Sequence, residues 1–248
     1  MEYDELLRRA EDLRERCERT GSVTSTGFLR PAERRQMELW SRRTADCRLL
    51  FHGGGADCER CVGFFLPYYA EPEDFSPDEY IRAIKLTARF GSPGHREVFG
   101  ALLGMGVGRE WVGDIRLDGE TAWVFCLPSV QRHLLSLDKV GRWGVKAEPI
   151  ALAEVPPPQR QVKEKSFSVQ SPRLDAVVAG MFNLSRTEAA RKIAAGGVSL
   201  NYEETLKTDA AVHEGDIVSL RGAGKGKVTG TGGASRKGRL FVYAEIYK

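Results

Sequence analysis

The chain has 248 residues, 42% of them apolar and 29% charged, with 37 Lys and Arg against 34 Asp and Glu for a net charge of +3. That is an ordinary globular composition, long enough for a sizeable core and more than one domain, and it excludes a polycation. No apolar run approaches the roughly 18 residues of a membrane span, and the opening "MEYDELLRRAEDLRERCERT" lacks the apolar core of a signal peptide.

Charge and cysteine usage narrow the class further. Residues 171–248 hold 12 Lys and Arg against 8 Asp and Glu, whereas the remainder holds 25 against 26. A basic C-terminal module on a near-neutral body predicts an anionic partner for that module. The five cysteines are odd in number and scattered, which fits a reducing cytoplasm, and a monomeric cytoplasmic protein is expected.

Residues 1–47 read as helical, with Leu6, Leu7, Ala10, Leu13 and Cys17 at helical spacing and a second helix starting at Pro31. Arg30, Arg34, Arg35, Arg42 and Arg43 there form either a phosphate contact or, because Glu33 and Glu38 interleave with them, a solvated face. From Leu49 the period changes. "RLLFHGGGADCERCVGFFLPYY" predicts a hairpin around a glycine turn, and "EYIRAIKLTARF" a further strand. "GSPGHREVFGALLGMGVG" predicts a helix with Val98, Ala101, Leu102 and Met105 on one stripe. "WVGDIRL" and "TAWVFCL" predict a strand pair turning at Asp118-Gly119. "PSVQRHLLSLDKV" is a second helix and "WGVKAEPIAL" a last strand. Helices on one face of a mainly antiparallel sheet make an α+β layer, RRM-like or ferredoxin-like, over residues 48–155. Residues 156–170 are polar and proline-stiffened, either a linker or an edge strand leading into residues 171–248.

In that last module Ser171 is a candidate N-cap with Pro172 at the first helical position, followed by the stripe Leu174, Val177, Val178 and Met181. Ser185-Arg186-Thr187-Glu188 is a capping box ahead of Ala189, Ala190, Ile193 and Ala194, and Gly196-Gly197 ends the helix. "VSLNYEE" and "DIVSLRG" are strands. At about 100° per residue Arg191 and Lys192 flank the second stripe, while Arg186 falls on it and must escape at the helix start. No helix face is wholly basic, so a nucleic-acid surface has to be assembled from both helix starts and the adjoining strands.

Arg173-Leu174-Asp175, Ser185-Arg186, Ala189, Ile193, Gly197-Val198, Asn201, Lys207 and Gly215-Asp216-Ile217 resemble, in order, the pattern of the S-four-type (alpha-L) RNA-binding domain. Tyr202 stands where most members of that type have glycine. "GFLRPAERRQ", "FHGGGADCERCVGFFLPYY" and "GHREVFGALLGMGVGREWVGDI" resemble the segment ahead of that domain in the bacterial YlmH family. The resemblance implies an RRM-like middle domain and a C-terminal RNA-binding unit. It implies as partners rRNA and a stranded peptidyl-tRNA on the large ribosomal subunit, in ribosome-associated quality control. It places Arg173, Ser185, Arg186, Arg191 and Asn201 on or beside the RNA surface, and Lys192, Lys207, Arg221, Lys225 and Lys227 complete the candidate set. The arginines suit bidentate phosphate contacts, Ser185 organises a helix start, and helix starts present N–H groups to phosphate. Two alternatives stand beside this: Asp175 pairs internally with Arg173, and Asn201 shapes a turn. The tail "RGAGKGKVTGTGGASRKGRLFVYAEIYK" adds Lys225, Lys227, Arg236, Lys237 and Arg239 on a glycine-rich loop, either mobile until it meets phosphate or a solvated hairpin tip. Structured RNA is expected over DNA, because no helix offers a run of base-reading side chains.

Catalytic patterns are weak. "GAGKGKV" lacks the spacing and the Ser/Thr of a Walker loop. Cys47, His52, Cys58 and Cys61 supply four potential zinc ligands, yet one close cysteine pair is a thin basis for a site. No Ser/His/Asp or paired-carboxylate pattern stands out. A non-enzymatic RNA-binding protein without cofactor is expected. An RNA-modifying enzyme such as a pseudouridine synthase is the alternative, and a middle domain that recruits a protein partner is a third reading.

Overall fold

The computed structural model describes residues 2–158, 162–234 and 238–247, and the chain divides into two compact units, Met1–Gln159 and Arg160–Lys248. The class is α+β in both.

The first unit opens with α1 (Glu2–Thr20), β1 (Thr24–Leu29), α2 (Pro31–Ser41), β2 (Leu49–His52) and β3 (Cys61–Phe65). The strands form a three-stranded antiparallel sheet in the order β1-β3-β2. Ala10 and Cys17 of α1 and Met37 of α2 bury against Leu29 and Phe65 of this sheet. The segment expected to be helical to residue 47 therefore contains a strand, and a boundary at 47/48 would cut the sheet. The cause is local: "TSTGFL" follows the period of 2 that buries Thr26 and Phe28 together. The α2 arginines are internally paired, Arg30 with Glu33 at 2.6 Å, Arg34 with Glu38 at 2.8 Å and Arg35 with Glu38 at 3.7 Å, the solvated-face alternative.

Next come β4 (Arg82–Ala88), α3 (His95–Gly104), β5 (Val112–Asp118), β6 (Thr121–Cys126), α4 (Pro128–Leu134), β7 (Lys139–Val140) and β8 (Trp143–Ile150). Their sheet order is β5-β6-β4-β8-β7, antiparallel throughout. Leaving aside the short edge strand β7, the sequence of elements is that of the ferredoxin-like split βαβ arrangement. Both helices lie on one face, where Val98, Leu102, Val130 and Leu134 bury against Ile84, Leu86, Val124 and Cys126. On the other face Ala83 and Phe125 share a core with Phe28, Val62 and Phe64, so the two sheets are one body. The glycine triplet between β2 and β3 serves this packing. Gly54 has φ +97°, and a Cβ there would lie 2.5 Å from the Phe125 ring. The turn is clamped by Asp114, whose carboxylate accepts the Glu59 and Arg60 amides at 2.7 and 3.0 Å. Arg116 also donates to the Ala56 and Pro156 carbonyls.

The second unit contains β9 (Val162–Val169), α5 (Leu174–Phe182), α6 (Arg186–Ala194), β10 (Val198–Leu200), β11 (Glu203–Glu204), β12 (Ile217–Leu220), β13 (Gly224–Ala234) and β14 (Leu240–Tyr247). They build a six-stranded sheet in the order β11-β10-β12-β13-β14-β9. Of the two readings of residues 156–170, the second half is an edge strand, paired with β14 from Val162↔Tyr247 to Val169↔Leu240; residues 159–161 lie outside the described residues. The helices cover one sheet face, burying Leu174, Val177, Val178, Met181, Ala189 and Ile193 on Val198, Val218, Leu220, Val228, Val242 and Ala244. The glycine-rich tail is a correction. Lys225 and Lys227 sit inside the β13 ladder, between β12 and β14, and not on a loop. Glycine is required there by crowding, since a Cβ at Gly226 would meet Ile246 at 2.8 Å and Glu245 O at 2.9 Å. Arg236 and Lys237 lie outside the described residues. No helix among those described is long and apolar enough to cross a membrane.

Candidate nucleic-acid interface

The two helix starts of the second unit meet at one carboxylate. The cap of α5 is Arg173, two residues later than Ser171-Pro172 suggests. Residues 208–212 run alongside and supply the acceptors: Leu174 N donates to Ala210 O at 2.8 Å and Asp175 N to Thr208 O at 2.9 Å, while Val212 N donates to Pro172 O at 2.9 Å. Those amides are therefore closed to a phosphate, which corrects the expectation for this helix start. At α6 the capping box forms as read: Ser185 Oγ accepts from Glu188 N at 3.2 Å, and Glu188 accepts from Ser185 N at 3.0 Å. Those bonds from Ser185 hold the Glu188 carboxyl below its ordinary range. The amides of Arg186 and Thr187 take no partner among the described residues, as a helix start allows.

Asp175 is the hub. Its side chain is 10% exposed and accepts from Arg186 Nη2 at 2.6 Å and from Arg173 Nε at 3.4 Å. The two arginines keep 57% and 44% of their side chains exposed. Each guanidinium has five N–H donors, so most of them still face solvent. Asp175 thus brings two cations together and offsets their repulsion without closing them off. Exposed pairs of this kind add little stability, so their effect is on position. Lys207, exposed, immediately precedes Thr208 on the same edge.

Other candidates lie elsewhere. Asn201 is committed to the fold: Nδ2 donates to Asp216 Oδ1 at 2.8 Å and Oδ1 accepts from Ile217 N at 3.0 Å. Asn201 and Tyr202 both have positive φ, 51° and 69°, between paired Leu200 and Glu203, the form of a type I′ turn with tyrosine in the glycine place. Arg191, exposed, and Lys192, half-buried, sit in the last turn of α6, where cations complement the helix dipole. Gly196 N to Ile193 O and Gly197 N to Lys192 O, both 2.9 Å, then close that helix as a Schellman motif. Arg221, exposed, follows β12 and donates its amide to Gly197 O at 2.9 Å. Lys225 and Lys227 point away from the helices, because their neighbours Gly226 and Val228 face the helix side. Lys225 Nζ lies 5.8 Å from the Tyr247 ring centroid. The ten candidates thus do not form one patch. Arg173, Ser185 and Arg186 come together with Lys207 at the adjoining edge, while Lys225 and Lys227 occupy the opposite sheet face.

Two residues outside the candidate set organise this unit. Lys165 of β9 caps α5, donating to Met181 O at 2.9 Å and to Asn183 Oδ1 at 2.6 Å. Asp216 holds Asn201 and accepts from His213 N at 2.7 Å. Gly215-Asp216-Ile217 carried a signal for the second; nothing local marks the first.

The potential zinc ligands do not converge. Cys47 packs beside α1, and Cys61 Sγ donates to Cys58 O at 3.7 Å. Burial pushes the Cys58 thiol up to about 11. Among the described residues no group of three or more His, Cys, Asp or Glu is placed to hold a metal ion.

The α+β fold and the chain's relatives together give the class, an RNA-binding protein. The chain belongs to the YlmH family. The family model described as "Putative RNA-binding domain in YlmH" matches residues 71–154. The chain is 31% identical over 225 residues to the "Ribosome-associated protein quality control protein P2" of Bacillus subtilis (strain 168), across 90% of this chain and 87% of that one. In fold it is similar to "Cell division protein ylmH from Streptococcus pneumoniae", with a TM-score of 0.52, 20% identity, and coverage of 62% of this chain and 94% of that chain.

Proposed function

We propose that residues 160–248 are an S-four-type unit that grips rRNA and peptidyl-tRNA on the large ribosomal subunit, and that the protein acts without catalysis in ribosome-associated quality control. The observation that carries this is the meeting of Arg173 and Arg186 at Asp175 with both guanidinium groups half-exposed. The kinship with the Bacillus subtilis quality-control protein supports the ribosomal setting. Arg-Leu-Asp occurs twice, at residues 116–118 and 173–175. Asp118 is exposed at the β5–β6 turn, and Asp175 is engaged by two arginines and by the Ala176 amide at 2.9 Å, which favours a binding role for that second carboxylate. Affinity arises from counterion release, so binding weakens steeply with salt. The double variant Arg173→Ala, Arg186→Ala is expected to lose cosedimentation with large subunits and to flatten the log-affinity versus log-salt slope by about 2. A folded double variant that still cosediments rejects this reading.

A further inference from the structure

A second basic and aromatic surface lies on the first unit, at the end of the five-stranded sheet where β4 stops and β8 begins. Phe90 is 80% exposed in the loop between β4 and α3. The loop is tied down on both sides of it. Arg89 N donates to Gly144 O at 3.0 Å, and Gly91, at φ +78°, lies so close to the Trp143 ring that a Cβ would come within 2.5 Å. The Arg142 guanidinium sits over the same ring, 4.4 Å from its centroid. Lys139 on β7 pairs with Gly144 and is exposed, as are Arg89 and Arg142.

None of these three cations is in an ion pair among the described residues. Of the neighbouring carboxylates, Glu97 accepts from Gly94 N at 2.8 Å and caps α3, while Asp138 and Glu120, joined to this end of the sheet through their backbone carbonyls, form no ion pair with the three cations among the described residues. Trp143 Nε1 is buried without a hydrogen-bond partner among the described residues, and the ring packs between Gly91 and Arg142. A lone exposed phenylalanine needs no explanation. One carried on a loop whose backbone is tied down on both sides, with Arg89, Arg142 and Lys139 on the neighbouring segments, presents the two features that unpaired nucleotides require: a face for a base and donors for the adjoining phosphates. A duplex offers no unstacked base, and an apolar protein partner would leave the cations unmatched.

We propose that Phe90 with Arg89, Arg142 and Lys139 binds unpaired RNA nucleotides, Phe90 stacking on a base while the cations meet phosphates. The surface lies within residues 71–154, the span of the family's RNA-binding domain match. It rests on the reading of the protein as an RNA binder and is separate from the Arg173–Arg186 site.

The test uses the full chain with a labelled single-stranded RNA decamer and its blunt duplex. Phe90→Ala is expected to weaken single-strand binding about tenfold, the loss of one stacked base, with duplex binding unchanged and Phe90→Tyr close to the parent. Arg89→Ser with Arg142→Ser is expected to reduce the salt slope by about 1–2. The Arg173→Ala, Arg186→Ala variant is expected to keep its sensitivity to Phe90→Ala, which separates failure of this site from failure of the other. Equal single-strand binding by Phe90→Ala and the parent overturns the proposal. So does parental affinity in Phe90→Leu, which would mark an apolar contact. So too does a Phe90→Ala defect confined to a protein partner.

Discussion

At the scale of single residues, Asp175 and Asn201 act by opposite means. Asp175 gathers two cations and leaves them exposed, so under the proposed function its consequence is expected in binding. Asn201 uses both ends of its side chain inside the fold, so its consequence is read in stability. Replacing Asn201 by alanine removes bonds of 2.8 and 3.0 Å, one to a carboxylate, and takes from a residue at φ 51° the short polar side chain that makes the left-handed region tolerable. We expect a loss of about 2–3 kcal/mol in urea unfolding followed by circular dichroism. RNA affinity per folded molecule is expected to change by less than about twofold, because Asn201 offers phosphate at most one further N–H.

At the scale of elements, α5 depends on a glycine that helix propensity disfavours. Gly180 lies in its interior, and a Cβ there would stand 2.1 Å from the Phe167 ring of β9. Alanine would gain about 1 kcal/mol of propensity, yet overpacking against a ring costs about 1–3 kcal/mol. Gly180→Ala is therefore expected to lower the thermal midpoint by a few degrees. The same elements show what a reader of the sequence can and cannot see. The capping box of α6 was legible because Ser185 and Glu188 are three residues apart and need nothing else. The start of α5 was not, because its acceptors come from Thr208 and Ala210, far along the chain. β13 was hidden by glycines that read as loop but are demanded by close strand packing, and β1 by its shortness beside two helices. The sequence singles out the candidate residues, whereas their division between two sheet faces needed the register of β13.

For the whole molecule, the two units can be followed separately, since Trp40, Trp111, Trp123 and Trp143 all belong to the first. Tryptophan fluorescence then isolates a pH effect. Burial holds His52 below its ordinary value, against a weaker opposing pull from Asp78, and its Nδ1 accepts from Gly54 N at 2.9 Å. A lowered folded value means the neutral form is favoured in the fold. Its contribution is complete above the unfolded value of about 6.5 and is lost as pH falls through the folded one. The urea midpoint seen by fluorescence is expected to fall on acidification below about pH 6.5, less steeply in His52→Asn. The second unit carries a different lesson in β9. Val162–Val169 seals the backbone of β14 over its whole length, and Phe167 and Lys165 of that strand fix α5. A fragment trimmed to the helices at residue 171 would therefore bare a long row of amides and carbonyls ready to recruit another chain. The portable module starts twelve residues upstream of where its first helix begins.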